Sequence, residues 1–174
     1  MPSNLRVEAR TWKFGDHINT DLILPGPVML MPFDEQPKYA FQANRPGWSS
    51  LVRAGDILIG GHNFGTGSGR PAARSLKVLG ISCIVAESIN GLFFRNCVNY
   101  GLYPLECPGI AASVTEGDVV TVDYDTFEVR NVSTGAVLQG KRFPEMLLDI
   151  LRAEGIYPLM ESRGMLEPPN PETA

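Results

Sequence analysis

Residues 56–86, DILIGGHNFGTGSGRPAARSLKVLGISCIVA, contain the pattern that decides the fold. Residues 56–60 are a short apolar run that predicts a buried strand, and a glycine-rich loop follows it. Pro71 predicts the first position of a helix, because its fixed φ suits that place, and Gly80 is typical of a helix end. Residues 81–86 predict a second apolar strand. This order of strand, loop, helix and strand indicates a parallel βαβ unit.

Periodicity predicts the other elements of the chain. Before the βαβ unit it predicts a strand over residues 5–14 and a long loop at residues 28–50, with one short helix near residues 36–43. After it, the predicted elements are a helix capped by Ser88 and ended by Gly101, strands at residues 119–124, 127–130 and 136–139, and a helix over residues 144–154. The three short strands, which turn residues separate, predict antiparallel structure beside the parallel core.

The length and composition predict one domain. The chain has 174 residues, of which 44% are hydrophobic and 20% are charged, so it can bury a core. We expect this domain to span residues 1–164. Residues 165–174 contain three prolines and predict a flexible C-terminal tail.

The charge pattern and the apolar runs argue against two classes of partner. The net charge is −4 and the cationic residues are scattered, whereas binding to nucleic acid needs clustered cations. No stretch approaches the ~18 apolar residues of a membrane span. Residues 1–10 have no signal-peptide pattern. We therefore expect a cytoplasmic protein that binds neither nucleic acid nor membrane.

The three cysteines, Cys83, Cys97 and Cys107, predict reduced thiols in the core. Their number is odd, and none of them forms a CxxC pair. A zinc or iron–sulfur site built from all three is the alternative, but their spacing matches no common ligand motif. We expect no metal to be bound by this chain.

The loop at residues 61–70, GHNFGTGSGR, is the candidate for chemistry. It lies between a predicted strand and a predicted helix start, where free backbone N–H groups and the helix dipole attract anions. Glycines let the backbone come close to a ligand, and Arg70 can bind a carboxylate through two N–H groups. The pattern predicts an anion pocket with the Ser68 hydroxyl at its centre. A glycine-rich turn without chemistry is the alternative.

Known phosphate-binding and hydrolase motifs do not fit this loop. A dinucleotide motif that begins at Gly65 would need glycine or alanine in place of Arg70, and a P-loop would need a lysine. A nucleophile elbow centred on Ser68 would need glycines in place of Thr66 and Arg70. The predicted pocket therefore belongs to another class of site.

Three segments of the chain resemble the aconitase swivel-domain family. Residues 63–70, NFGTGSGR, resemble its N-F-G-x-G-S-S-R signature. Residues 15–25, GDHINTDLILP, resemble its G-D-x-I-N-T-D-x-I-I-P opening, and residues 93–104, FFRNCVNYGLYP, resemble its I-F-x-N-x-x-N-x-G-L-x-P segment. The segments come in the order and spacing of the family. They are most similar to those of the separate small subunits of 3-isopropylmalate dehydratases.

The resemblance implies a fold, a three-layer β/β/α swivelling domain with a short parallel core and antiparallel strands. It also implies a two-subunit hydro-lyase that isomerises or dehydrates a hydroxy di- or tricarboxylate. The default is 3-isopropylmalate dehydratase in leucine biosynthesis. The alternatives are a related hydratase for homoaconitate or a methylmalate-type substrate, and a non-catalytic anion-binding paralogue. In this family the large subunit binds a 4Fe–4S cluster, so we expect a large iron–sulfur partner and no cofactor in this chain.

The resemblance also implies roles for individual residues. These are Ser68 as the catalytic base, Arg70, Gly69 and Asp16 as substrate-binding residues, and Asn63, Gly65 and Gly67 as residues that shape the pocket loop. The chain departs from the family where Gly69 replaces a second serine and Pro71-Ala72 replaces a Glu-His pair. A cationic residue that many relatives carry after the proline at position 25 is also missing. Because the base and the two charged binding residues are present, these departures favour a changed substrate over lost activity.

Overall fold

The computed structural model describes residues 5–67 and 70–166, which form a mixed seven-stranded sheet covered by helices. The strands are β1 (Arg6–Lys13), β2 (Ile57–Gly60), β3 (Cys83–Ala86), β4 (Tyr103–Glu106), β5 (Val119–Asp123), β6 (Glu128–Asn131) and β7 (Val137–Gln139). The helices are α1 (Thr20–Ile23), α2 (Ala72–Leu79), α3 (Gly91–Asn99), α4 (Ile110–Ser113), α5 (Glu145–Arg152) and α6 (Ile156–Ser162). The strand order is β4-β3-β2-β1-β5-β6-β7, so β1 is central.

Strand β1 joins two halves of the sheet that differ in strand direction. Its residues 11–13 pair with β2 in parallel, and β3 and β4 continue this parallel half. Its residues 6–10 pair with β5 in the antiparallel sense, and β6 and β7 continue that half. The predicted parallel core with added antiparallel strands is confirmed.

Two hydrophobic clusters lie on opposite faces of the parallel strands. Leu58 and Ile84 pack with residues of α2 and α3 in the first cluster. Ile57 and Val85 point to the other face, because side chains alternate along a strand, and they share the second cluster with Val122 of β5 and with residues of α5. Helices α2 and α3 therefore cover one face of the parallel half, and antiparallel strands together with α5 pack on the other, which agrees with the predicted three-layer β/β/α fold.

The segment between α1 and β2 consists of 3₁₀ turns that buried aromatic rings hold in place. The turns span Gly26–Leu30, Gln36–Tyr39 and Trp48–Leu51. Phe41 stacks on Phe14, which follows β1, with ring centroids 3.9 Å apart. Trp48 packs edge-on against both rings at 4.9 and 5.4 Å. The short helix predicted near residues 36–43 is therefore a 3₁₀ turn, and long-range packing fixes the segment.

Two predicted helix boundaries are wrong. Pro71 is the N-cap of α2 instead of its first residue. The N-cap of α3 is Asn90, whose side chain accepts a hydrogen bond from the Leu92 N–H, and not Ser88. The predicted end of α2 is confirmed, because Gly80 takes a left-handed φ of 110° there. The sequence patterns do not predict α1, α4 or α6.

Some predictions fall outside the residues that the structure describes. They concern Ser68 and Gly69 of the loop and residues 167–174 of the predicted tail. Across residues 5–67 and 70–166, no helix is long and apolar enough to span a membrane.

Candidate active site

The glycine-rich loop lies at the carboxyl ends of the parallel strands. It follows β2 and runs between the segment after β1 and the segment after β3. Short parallel bridges join Thr66 to Asn19 on one side and Phe64 to Ile89 on the other. Ligands of open α/β sheets bind at the carboxyl ends of the strands, so the fold puts this loop where a site is expected.

Hydrogen bonds attach one side of the loop to the segment after β1. The Asp16 carboxylate accepts the His62 N–H through Oδ1 at 2.6 Å. The main-chain bonds are His17 N–H to His62 O at 2.8 Å, Gly65 N–H to Ile18 O at 2.6 Å and Thr20 N–H to Thr66 O at 2.7 Å. Asp16 is exposed and orients the start of the loop through its carboxylate.

Residues of the segment after β3 hold the other side of the loop. Ser88 accepts two consecutive N–H groups, that of Asn63 on Oγ at 2.8 Å and that of Phe64 on its carbonyl oxygen at 3.0 Å. The Phe64 carbonyl accepts the Asn90 N–H at 2.8 Å. Asn63 has a φ of 56°, which asparagine tolerates better than most residues, and its side chain is exposed. The Asn63 amide lies 3.4 Å from Nδ1 of His17.

The path of the loop requires glycine at two positions. Gly65 has a φ of 79°, and a Cβ there would lie 2.5 Å from the Cβ of Phe93. Gly67 has a φ of 109°, and a Cβ there would lie 2.9 Å from Oγ1 of Thr20. Only glycine adopts such dihedrals readily, and neither position has room for a side chain. The fold itself therefore accounts for both residues, whether or not a ligand binds.

Arg70 lies where the loop meets α2, and α1 holds its guanidinium. Nη2 of Arg70 pairs with Oδ1 of Asp21 at 2.8 Å, and Nη1 donates to the Leu24 carbonyl at 3.2 Å. The arginine side chain is 22% exposed and that of Asp21 is 63% exposed. A guanidinium has five N–H donors, so these contacts leave donors for a ligand.

No sequence pattern predicts a role for Asp21, although this residue lies in the segment that resembles the family opening. Its pairing with Arg70 became visible only when the fold brought α1 and the loop together. The structure also puts Asp16 at the start of the loop and Arg70 at its end, so both predicted charged residues contact the elements that frame it. The roles of Ser68 and Gly69, which lie outside the described residues, stay predictions.

The cysteines do not fit a metal or cluster site. All three are buried free thiols, with Cys97 in the first hydrophobic cluster and Cys83 and Cys107 in the second. Burial raises the pKa of Cys83 to about 12 and that of Cys107 to about 11, so the thiolate that a metal requires is disfavoured. In the described part of the chain, no three His, Cys, Asp or Glu side chains form a group that could hold a metal ion.

Comparisons with known proteins agree with this fold. Residues 33–109 match the aconitase C-terminal domain family. The solved structure of 3-isopropylmalate dehydratase from Methanocaldococcus jannaschii matches with a TM-score of 0.86 and 28% identity, over 92% of this chain and 96% of that one. The molecule is therefore an aconitase-type swivelling domain.

Two relatives narrow this class. The chain is 40% identical over 159 residues to the isopropylmalate/citramalate isomerase small subunit of Methanocaldococcus jannaschii, and this match covers 90% of this chain and 95% of the relative. It is 38% identical over 154 residues to the methanogen homoaconitase small subunit of Methanothermobacter thermautotrophicus, and this match covers 86% of this chain and 88% of the relative. The chain belongs to the family of aconitase-type dehydratase small subunits, which are hydro-lyase subunits.

Proposed function

We propose that the chain is the small subunit of a 3-isopropylmalate dehydratase, in which Ser68 and Arg70 act on the substrate. Its partner in this proposal is a large subunit that carries a 4Fe–4S cluster, and its substrate is a hydroxy di- or tricarboxylate. One observation supports the proposal above the others. The loop at the carboxyl ends of the parallel strands is attached to Asp16 at its start and ends at an oriented guanidinium, that of Arg70.

Arg70 is the group of this chain that we assign to a substrate carboxylate. Asp21 and the Leu24 carbonyl already orient its guanidinium, which reduces the entropy that the side chain loses on binding. The remaining N–H donors can bind a carboxylate through two parallel hydrogen bonds. The side chain is only 22% exposed, and partial removal from water strengthens its attraction for an anion.

We assign to Ser68 the removal of a proton from the carbon beside a substrate carboxylate. The proton moves to the serine oxygen, and the departure of the hydroxyl group is left to the partner subunit. An alcohol is a poor base unless its anion is stabilised, and each pKa unit of lowering needs ~1.4 kcal/mol. The N-terminus of α2 provides positive potential at this end of the loop, and Arg70, whose charge Asp21 partly offsets, adds to it.

A related substrate is the main alternative, because the chain lacks the cation that many relatives carry after Pro25. In this chain residues 26–30 of that segment read GPVML, with no cationic residue. The segment begins beside the carboxylate-binding group, because a Cβ at Gly26 would lie 3.5 Å from Nη1 of Arg70. Its absence favours substrates with differently placed carboxylates, such as homoaconitate or a methylmalate-type acid. A non-catalytic anion-binding paralogue is the other alternative.

A cytoplasmic location is part of the same proposal, with leucine biosynthesis as the pathway. The three free thiols support it, because unpaired cysteines are typical of reducing compartments.

The test is turnover of a panel of hydroxyacids by the chain reconstituted with its large subunit. We expect Ser68→Ala to abolish turnover while the two subunits still co-purify. Ser50→Ala, which changes an exposed serine in the 3₁₀ turn at residues 48–51, serves as the control and should keep the wild-type rate. Near-normal rates for Ser68→Ala would refute the assignment of the base. Failure to capture any large subunit would favour the non-catalytic paralogue.

A further inference from the structure

Ser88 makes a contact that its predicted role as a helix cap does not explain. Its Oγ accepts the N–H of Asn63 at 2.8 Å, and its carbonyl oxygen accepts the N–H of Phe64 at 3.0 Å. Ser88, which follows β3, therefore accepts hydrogen bonds from two consecutive N–H groups of the loop. Asn63 precedes Ser68 by five positions, and Phe64 is fully buried, so this contact fixes the loop where it leaves the core.

The segment that carries Ser88 is itself held at the next residue. The Ile89 N–H donates to Oε1 of Glu106 at 2.8 Å, and Glu106 also pairs with Lys141 at 3.0 Å. The Lys141 N–H donates to the Glu106 carbonyl at 2.8 Å. Glu106 ends β4, so the position of Ser88 is fixed by the sheet and not by a flexible loop alone.

We propose that Ser88 is a positioning residue, which holds the Asn63 N–H and so fixes residues 61–67 of the loop, the stretch that precedes the proposed base. This inference rests on the proposed function, in which Ser68 is the base. Ser88 acts through the backbone at Asn63 and touches no reacting atom. Arg70 is oriented by α1 and not by Ser88, so loss of the Ser88 hydroxyl should disturb residues 61–67 of the loop and leave the Arg70 guanidinium in place.

The kinetic test uses Ser88→Ala in the reconstituted two-subunit enzyme. We expect kcat to fall about tenfold or more with KM within about twofold, because a displacement of about 1 Å can cost up to a hundredfold in rate. Ser88→Thr, which keeps the hydroxyl, should restore most of the rate. The control is Ser82→Ala at the other end of β3, where the hydroxyl donates to the Gly55 carbonyl at 2.7 Å. This control should leave kcat unchanged.

A second measurement does not depend on turnover. Hydrogen–deuterium exchange of residues 61–67 in the small subunit should be faster in Ser88→Ala than in the wild type, and unchanged in Ser82→Ala. Equal exchange in Ser88→Ala and wild type overturns the proposal, and so does faster exchange with normal kcat. A parallel rise in KM, or a failure of Ser88→Thr to restore the rate, also overturns it. A wild-type pair that turns over no acid on the panel overturns the proposed function first, and the positioning role with it.

Discussion

Gly65→Ala tests whether the loop is as tightly packed as its contacts indicate. The new Cβ would lie 2.5 Å from the Cβ of Phe93, and closer still to the ring. A rotamer change cannot relieve this overlap, because the backbone fixes the Cβ of Phe93. Phe93 is 1% exposed, and its ring lies 5.8 Å from that of Phe64, so it has no free space to move into.

The cost of Gly65→Ala has two parts. The left-handed φ of 79° costs an alanine about 1 kcal/mol, and overpacking of a filled core costs about 1–3 kcal/mol. A total near 3 kcal/mol corresponds to a fall in Tm of roughly 6–12 °C for a domain of this size. Turnover of the reconstituted pair should fall as well, because the residues on both sides of Gly65 must shift.

Gly135→Ala is the matched control for this measurement. Gly135 has a φ of 82° but no atom within 4 Å of the added Cβ, so its substitution measures only the cost of the left-handed backbone conformation for alanine. We expect a loss of about 1 kcal/mol, or roughly 2–4 °C in Tm. Thermal and urea unfolding of both variants give the comparison. If Gly65→Ala lost no more stability than Gly135→Ala, the argument from packing against Phe93 would be refuted.

Two further predictions concern charged residues. Arg70→Lys should raise KM about five- to tenfold with a smaller effect on kcat, because a point charge replaces a planar guanidinium that can bind a carboxylate through two N–H groups. Steady-state kinetics measure this, with Arg130→Lys on the surface of β6 as the control. An unchanged KM would argue against contact between Arg70 and a substrate carboxylate. Burial alone would raise the pKa of Asp56, but hydrogen bonds from Arg10, the Arg53 N–H and Trp12 hold it below its usual value near 3.8. Because the pKa of Asp56 is lower in the folded chain than in the unfolded chain, its ionised carboxylate stabilises the fold at any pH above the unfolded-state pKa, and this stabilisation is lost as the pH falls through the folded-state pKa. Asp56→Asn should therefore cost about 2 kcal/mol of unfolding free energy at pH 7 and less below about pH 4. Urea unfolding at pH 7 and pH 3 measures the difference, and an equal cost at both would contradict the assignment.

The strands could be predicted because their signal is local. Apolar runs such as residues 57–60 and 83–86 show β structure in a short window, and left-handed glycines such as Gly80 mark the ends of elements. Helix α2 was predicted for the same reason. Only its first residue was misplaced, by one position.

The parts that could not be predicted depend on long-range contacts. The course of residues 26–51 follows from Phe41 and Trp48 packing on Phe14, and no local pattern announces that packing. Ser88 has the sequence signature of an N-cap, but its Oγ accepts an N–H from the loop after another strand. The ion pair of Asp21 could not be predicted for the same reason, because its partner, Arg70, lies far from it in the sequence.

Because the loop is exposed, the proposed reaction needs the partner subunit to exclude water as well as to carry a cluster. His62, Asn63 and Gly67 face solvent, whereas the residues that fix the loop, such as Phe64, are buried. In water the attraction between a fixed charge and a developing anion is worth about a quarter of its value in a closed site. The helix N-terminus and Arg70 therefore stabilise a developing anion only weakly while the loop faces water. In the proposed function, closure by a large subunit would exclude water from the loop and so provide the low-dielectric environment that the reaction needs.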